Sequence, residues 1–165
     1  CENCTLQTHC MAFMLKKVDH LPVKRNNVRI RKRFLHYFVF LHKHEQQCYT
    51  LLRYRGSGDV WQGLYDFPCI ESDRILSISE LEKEHLFCAI KSVAPEIIPI
   101  SGIRKHILTH QHLMAQFYIV KCNNGFEHVK NNSLSLVSQT ELGNYPMPRL
   151  IDQFLYENEN LFDNC

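Results

Sequence analysis

The sequence predicts an α+β fold built on a mixed β-sheet. Three observations predict it. Apolar runs of strand length recur along the chain, one amphipathic segment with a helix-start pattern lies between them, and two further helix signals stand near the end. Strands that flank one central helix, with helices closing the chain, describe an α+β domain rather than a series of βαβ units.

The elements follow in order. Residues 33–42 are aromatic and rich in β-formers and read as a strand, and residues 48–55, Cys-Tyr-Thr-Leu-Leu-Arg-Tyr-Arg, read as a second. The polar run Lys43 to Gln47 joins them as a hairpin loop. Gly56-Ser57-Gly58-Asp59 reads as a flexible loop. Leu64 to Ile70 is short and apolar but contains Pro68, which predicts an edge or strand-end position because proline cannot donate to a ladder. Ser79 with Glu82 makes an S-x-x-E capping box ahead of a helix running to about Val93, with Leu81, Leu86, Ile90 and Val93 as its apolar stripe. Strands are expected at Ile103 to Thr109 and Leu113 to Lys121, a turn at Asn123-Asn124-Gly125, and a short strand around Leu134 and Leu136. Ser138 with Glu141 repeats the capping box on a short helix. Pro148 then opens a last helix whose Leu150, Ile151, Phe154 and Leu155 face inward.

The 165 residues are enough for one domain and a tail. Residues 1–60 carry a net charge of +7 and residues 61–165 a net of −5. The basic part holds Lys24, Arg25, Arg31, Lys32 and Arg33, and clustered positive charge suits a phosphate backbone. A solvated linker explains the same composition equally well. No apolar run reaches membrane-spanning length, and no membrane partner is expected. The chain starts Cys-Glu-Asn-Cys, without the basic and apolar regions of a signal peptide, and reads as a piece of something longer. Cys48, Cys69, Cys88, Cys122 and Cys165 are scattered, mostly in apolar surroundings, which predicts small core thiols and a reducing, cytoplasmic compartment.

Cys1, Cys4 and Cys10 stand apart as a tight C-x2-C-x5-C cluster, a spacing at which thiolates hold zinc or iron–sulfur clusters. This spacing resembles the last three positions of the C-x6-C-x2-C-x5-C loop of endonuclease III and MutY-type glycosylases. Residues 53–68, from Arg53 to Pro68, resemble the R-x-x-x-G-x-W-x-G-L-W-x-F-P stretch of the C-terminal, Nudix-fold domain of MutY-type enzymes. Trp61, Gly63, Leu64, Phe67 and Pro68 fall in step with it. Trp61, Leu64 and Phe67 are also expected in or at the rim of the core, whatever the function. Residues 108–113 resemble the family's F-S-H-x-H-L turn, which contacts 8-oxoguanine. Thr109 stands at the serine, His110 at the first histidine, and Leu108 where the family has a ring.

The resemblance implies a Nudix-like α/β/α sandwich with a mixed sheet. It divides the chain into the end of an iron–sulfur loop at 1–17, a basic linker at 18–32 and a recognition domain at 33–160. The implied parent is a base-excision-repair enzyme that removes adenine opposite 8-oxoguanine, with such double-stranded DNA as its partner. A cytoplasmic monomer, nucleoid-associated if the source is bacterial, is the expectation. Leu108, Thr109 and His110 are the implied lesion readers, and Lys24, Arg25, Arg31, Lys32 and Arg33 the phosphate-attracting set. Cys1, Cys4 and Cys10 are implied ligands of a four-iron four-sulfur cluster in the longer protein, with no cofactor expected in this piece. The catalytic carboxylates belong upstream, so no catalytic residue is expected here.

The chemistry suits these residue types. A hydroxyl both donates and accepts, so Thr109 can meet the N7 donor or the O8 acceptor that distinguish 8-oxoguanine from guanine. Two rivals compete. A Nudix nucleotide pyrophosphatase needs an R-E-x-x-E-E-x-G helix to hold magnesium, whereas the segment Ser79 to Leu86 has no Arg-Glu pair, no adjacent glutamates and no glycine. A non-enzymatic nucleic-acid or protein interaction module is the other. His106, His110 and His112 have strand-like parity and also read as surface or zinc-binding histidines.

Overall fold

A computed structural model describes residues 1–21, 23, 30–84, 86, 96–100, 102–122, 133–163 and 165. The chain divides into two units, Cys1–Ile30 and Arg31–Cys165. The first contains a 3-10 turn at Gln7–His9 and one short helix, α1 (Met11–Met14). Neither buries a residue.

The second unit is organised around β1 (Arg31–His44), which is buried without interruption from Leu35 to Leu41. A run that is buried at every position, rather than at alternate ones, belongs to a central strand covered on both faces, and here only His36 in it is polar. β1 pairs in parallel with β7 (Gln111–Lys121) along one edge, from Arg31 opposite Gln111 to Leu41 opposite Lys121. Its other edge is antiparallel to β4 (Cys69–Ser72) at 34–37 and to β2 (Gln47–Tyr54) at 42–44. β2 also pairs with β3 (Tyr65–Asp66) and β8 (Leu134–Ser138). β5 (Glu96–Pro99) and β6 (Arg104–Ile107) both run antiparallel to β7, at its two ends. The sheet is therefore mixed.

The period of two along β1 distributes its side chains to two apolar layers. Leu35, Tyr37, Val39 and Leu41 join Phe117, Leu150, Ile151 and Phe154 on one face. The last three come from α3 (Arg149–Glu157). Phe117 and Phe154 stack face to face with centroids 3.8 Å apart. Phe38 and Phe40 join Tyr118, Val120 and Leu81 on the other face, where Leu81 comes from α2 (Ile78–Leu81). Helix, sheet and helix make the expected α/β/α sandwich. Trp61 and Phe67 are buried and Leu64 packs at the margin, as the sequence predicts.

Four local expectations are corrected. The capping box of α2 is Ser77 with Glu80, not Ser79 with Glu82. Both S-x-x-E patterns exist, but Glu80 also ion-pairs with Arg74, which selects the earlier register. The continuation of that helix toward Val93 lies outside the described residues, as does the Asn123-Asn124-Gly125 turn. The β1–β2 hairpin loop is shorter than expected, only Glu45 and Gln46, because His44 already pairs with Gln47. Thr109 leaves the strand and stands in a turn, while β7 starts two residues early, at Gln111.

The fourth correction concerns cysteine. Cys48 and Cys165 form a disulfide. Their apolar surroundings reflect a covalent tie to the chain end, where Phe162 is buried in the core, and not two isolated thiols. Scatter along the sequence therefore does not argue for a reducing compartment at this pair. Among the described residues no helix is long and apolar enough to cross a membrane.

Candidate nucleic-acid interface

Leu108 and Gln111 close a two-residue turn. The Leu108 N–H donates to the Gln111 carbonyl at 2.8 Å, and the Gln111 N–H returns to Leu108 at 3.3 Å. Thr109 and His110 occupy the corners, both exposed. Neither needs a left-handed backbone. The His110 carbonyl accepts from the Arg31 N–H at 3.1 Å, so the first residue of β1 is stitched to the turn. This leaves the Thr109 hydroxyl and the His110 ring directed at solvent, without a side-chain hydrogen bond to the described residues.

The parallel register brings the basic start of β1 to the same end of the sheet. Arg31 lies opposite Gln111 and Lys32 opposite His112. Both side chains are exposed, although Arg31 also reaches Glu71 at 3.5 Å. Adjacent strands are about 5 Å apart, so the backbone at Arg31 and Lys32 runs beside the residues that follow the turn. Arg33 differs. It is only 8% exposed and donates to Glu71 at 2.7 and 2.6 Å, to Asp59 at 3.1 Å and to the Gln111 side chain at 3.1 Å. Its expected part in phosphate attraction is therefore corrected: its donors are taken up inside the fold. Lys24 and Arg25 lie outside the described residues.

Leu108 is half-buried and packs against the α3-side core, so its side chain contributes to packing rather than projecting from the turn. The apolar side chain that does project is its neighbour Ile107, at 63% exposure. Sequence reasoning missed it. The parity of β6 contained the signal, since Ile103, Lys105 and Ile107 alternate with half-buried Arg104, His106 and Leu108.

A second polar cluster supports this end of the sheet. Asp66, fully buried, accepts from Arg53 at 3.0 and 2.9 Å and from Arg55. Arg55 also pairs with Asp59, and its guanidinium lies 5.4 Å from the centre of the Trp61 ring. The Arg33 guanidinium holds the Glu71 carboxyl below the usual carboxylate range, because a charge-assisted bond favours the ionised form. The motif Arg53 to Pro68 thus builds an ion-paired platform. Arg55, Asp59 and Asp66 are residues in it that sequence reasoning did not single out.

Two cofactors were in question. Three exposed or half-buried thiols at Cys1, Cys4 and Cys10 do not fit a four-iron cluster, which needs four. The described carboxylates of α2 do not fit a catalytic cation either. Glu80 accepts from Ser77 and pairs with Arg74, and Glu82 stands at the helix C-cap. Among the described residues no group of three or more His, Cys, Asp or Glu is placed to hold a metal ion, and His106, His110 and His112 form none.

The NUDIX domain family matches residues 36–157, and the chain belongs to that family. Among solved structures it is similar to the C-terminal domain of mouse MUTYH, crystallised with human PCNA. The identity is 16% and the TM-score 0.57, over 79% of this chain and 91% of that one. It is similar to the NUDIX domain of Shewanella oneidensis NrtR, complexed with ADP ribose, at 15% identity and TM-score 0.55, over 87% and 96%. RenU, a Nudix hydrolase of M. smegmatis, aligns at 12% identity and TM-score 0.52, over 77% and 86%. No curated protein sequence matches the chain. At these identities the likeness is one of fold.

Proposed function

We propose that this chain is the lesion-recognition module of an adenine DNA glycosylase of the MutY type, which acts on adenine opposite 8-oxoguanine. The observation that carries the reading is the Thr109–His110 turn, exposed at the sheet end where the exposed cations Arg31 and Lys32 begin β1. Base-edge contacts specify and phosphate contacts position, and this surface offers one set of each. The Thr109 hydroxyl addresses the altered edge of the lesion, His110 meets the base or the adjacent phosphate, and Arg31 and Lys32 attract the backbone. The double-stranded mispair is the partner, bound by a monomer. Cys1, Cys4 and Cys10 complete a four-iron cluster only with a fourth cysteine contributed upstream. The chain alone neither releases adenine nor hydrolyses nucleoside triphosphates, because the glycosylase carboxylates belong upstream and the magnesium-binding pattern is lacking.

The test is fluorescence anisotropy of the chain on duplexes containing adenine opposite 8-oxoguanine or opposite guanine, at fixed salt. Thr109→Ala with His110→Ala removes the preference between them, worth about 1–3 kcal/mol for one good base reader. Arg31→Ala with Lys32→Ala weakens both complexes alike and lowers the salt slope by about 2. Equal affinity of the unaltered chain for the two duplexes would overturn the reading. Metal-dependent turnover of nucleoside triphosphates would favour a pyrophosphatase instead.

A further inference from the structure

A side chain that reads a base edge must be held to within about 0.5 Å. Thr109 and His110 form no side-chain hydrogen bond with the described residues, so their placement comes from the two strands that deliver them. Both strands are gripped by one short loop. On the β6 side the His106 ring lies 6.0 Å from the Trp61 ring. On the β7 side the Gln111 Oε1 accepts from Arg33 Nη1 at 3.1 Å. Arg33 is in turn held by Asp59 at 3.1 Å and by Glu71. Asp59 and Trp61 are two residues apart, and Arg55 bridges them by pairing with Asp59 while lying over Trp61. Gly58 and Gly63 take positive φ, which lets the loop fold back onto the strands.

We infer that Asp59, Arg33 and Gln111 are positioning residues for the Thr109–His110 turn, with the Trp61 loop as the rigid jaw; this rests on the recognition role proposed above. The bond to Gln111 is charge-assisted and half-buried, and Gln111 is the first residue of β7, directly after His110. Loss of its acceptor frees one side of the hairpin without removing a reader or a phosphate contact.

Two variants of the whole chain separate positioning from general packing. Gln111→Met keeps length and bulk but offers no acceptor to Arg33, whereas Gln111→Glu keeps one. In the free protein, Gln111→Met lowers the amide order parameters of Thr109 and His110 from about 0.85 to below about 0.6, and Gln111→Glu leaves them rigid. On DNA, Gln111→Met reduces the preference for the 8-oxoguanine duplex about fivefold, on the order of 1 kcal/mol, while the salt slope stays unchanged. Gln111→Glu restores the preference. Rigid amides in Gln111→Met together with an intact preference would overturn the positioning role and leave the recognition reading standing. An unaltered chain that shows no preference, but whose turn loosens in Gln111→Met, would overturn the recognition reading and leave the positioning of the turn standing.

Discussion

Replacing Cys165 by serine removes the tie between the chain end and β2. The disulfide spans 117 residues of sequence, nearly the whole second unit. In the chain-entropy description, opening a loop of that length returns about 16 cal/mol/K to the unfolded state, or about 4.9 kcal/mol at 25 °C. That figure is an upper estimate, since compact unfolded chains recover less freedom. For a chain of this size each kcal/mol moves the melting temperature by roughly 2–4 °C. Cys165→Ser is therefore expected to melt roughly 10–20 °C below the unaltered protein. Calorimetry with and without reductant checks the cause: the unaltered protein should fall to the level of the variant, and the variant should not respond. Peptide mapping without reduction should recover residues around Cys48 linked to the C-terminus. A melting temperature indifferent to reductant, with no linked peptide, would refute the reasoning.

Three more outcomes follow from the packing and the buried charges. Phe154→Ala removes a ring stacked on Phe117 and leaves a cavity under the sheet, costing about 3–5 kcal/mol in chemical denaturation. Asp66→Asn leaves Arg53 and Arg55 without their shared buried carboxylate, and a loss of about 3–5 kcal/mol is expected in the same assay. His36 is fully buried, which pushes its imidazole below the ordinary value, and its Nε2 accepts from the Leu76 N–H at 3.3 Å. The unfolded chain takes up that proton near pH 6.5, before the folded one does. Stability is thus full above about pH 6.5 and declines as the pH falls toward the depressed folded value. Urea midpoints between pH 7 and pH 5 should fall less steeply in His36→Asn, and an unchanged slope would contradict the assignment.

The elements were legible where a local rule governs them. The aromatic, β-rich run of β1, the capping box at Ser138 and the proline before α3 each depend on neighbours within a few residues. The choice between overlapping capping boxes was not legible, because Arg74 settles it by an ion pair outside the pattern. Thr109 and His110 were legible as candidates by resemblance, since a short turn keeps the residues of its motif contiguous. The roles of Leu108 and Ile107 were not, because parity names two faces without saying which one the core will claim.

The layers and the candidate turn at Thr109–His110 came from the family resemblance, whereas what the sequence by itself determined is the order of its strands and helices. That order follows from periodicities of two and 3.6 residues and from the chemistry of caps and turns. Tertiary structure alone decided which charges are available. Lys32 and Arg33 are neighbours in a basic run, yet one is exposed and the other lies buried between Glu71 and Asp59, brought from 38 and 26 residues away. Tertiary structure also joined Cys48 to Cys165 and placed Gln111 against Arg33. Each of these depends on long-range pairing that no local pattern encodes, because a side chain's partner is set by the register of the sheet and not by its neighbours along the chain.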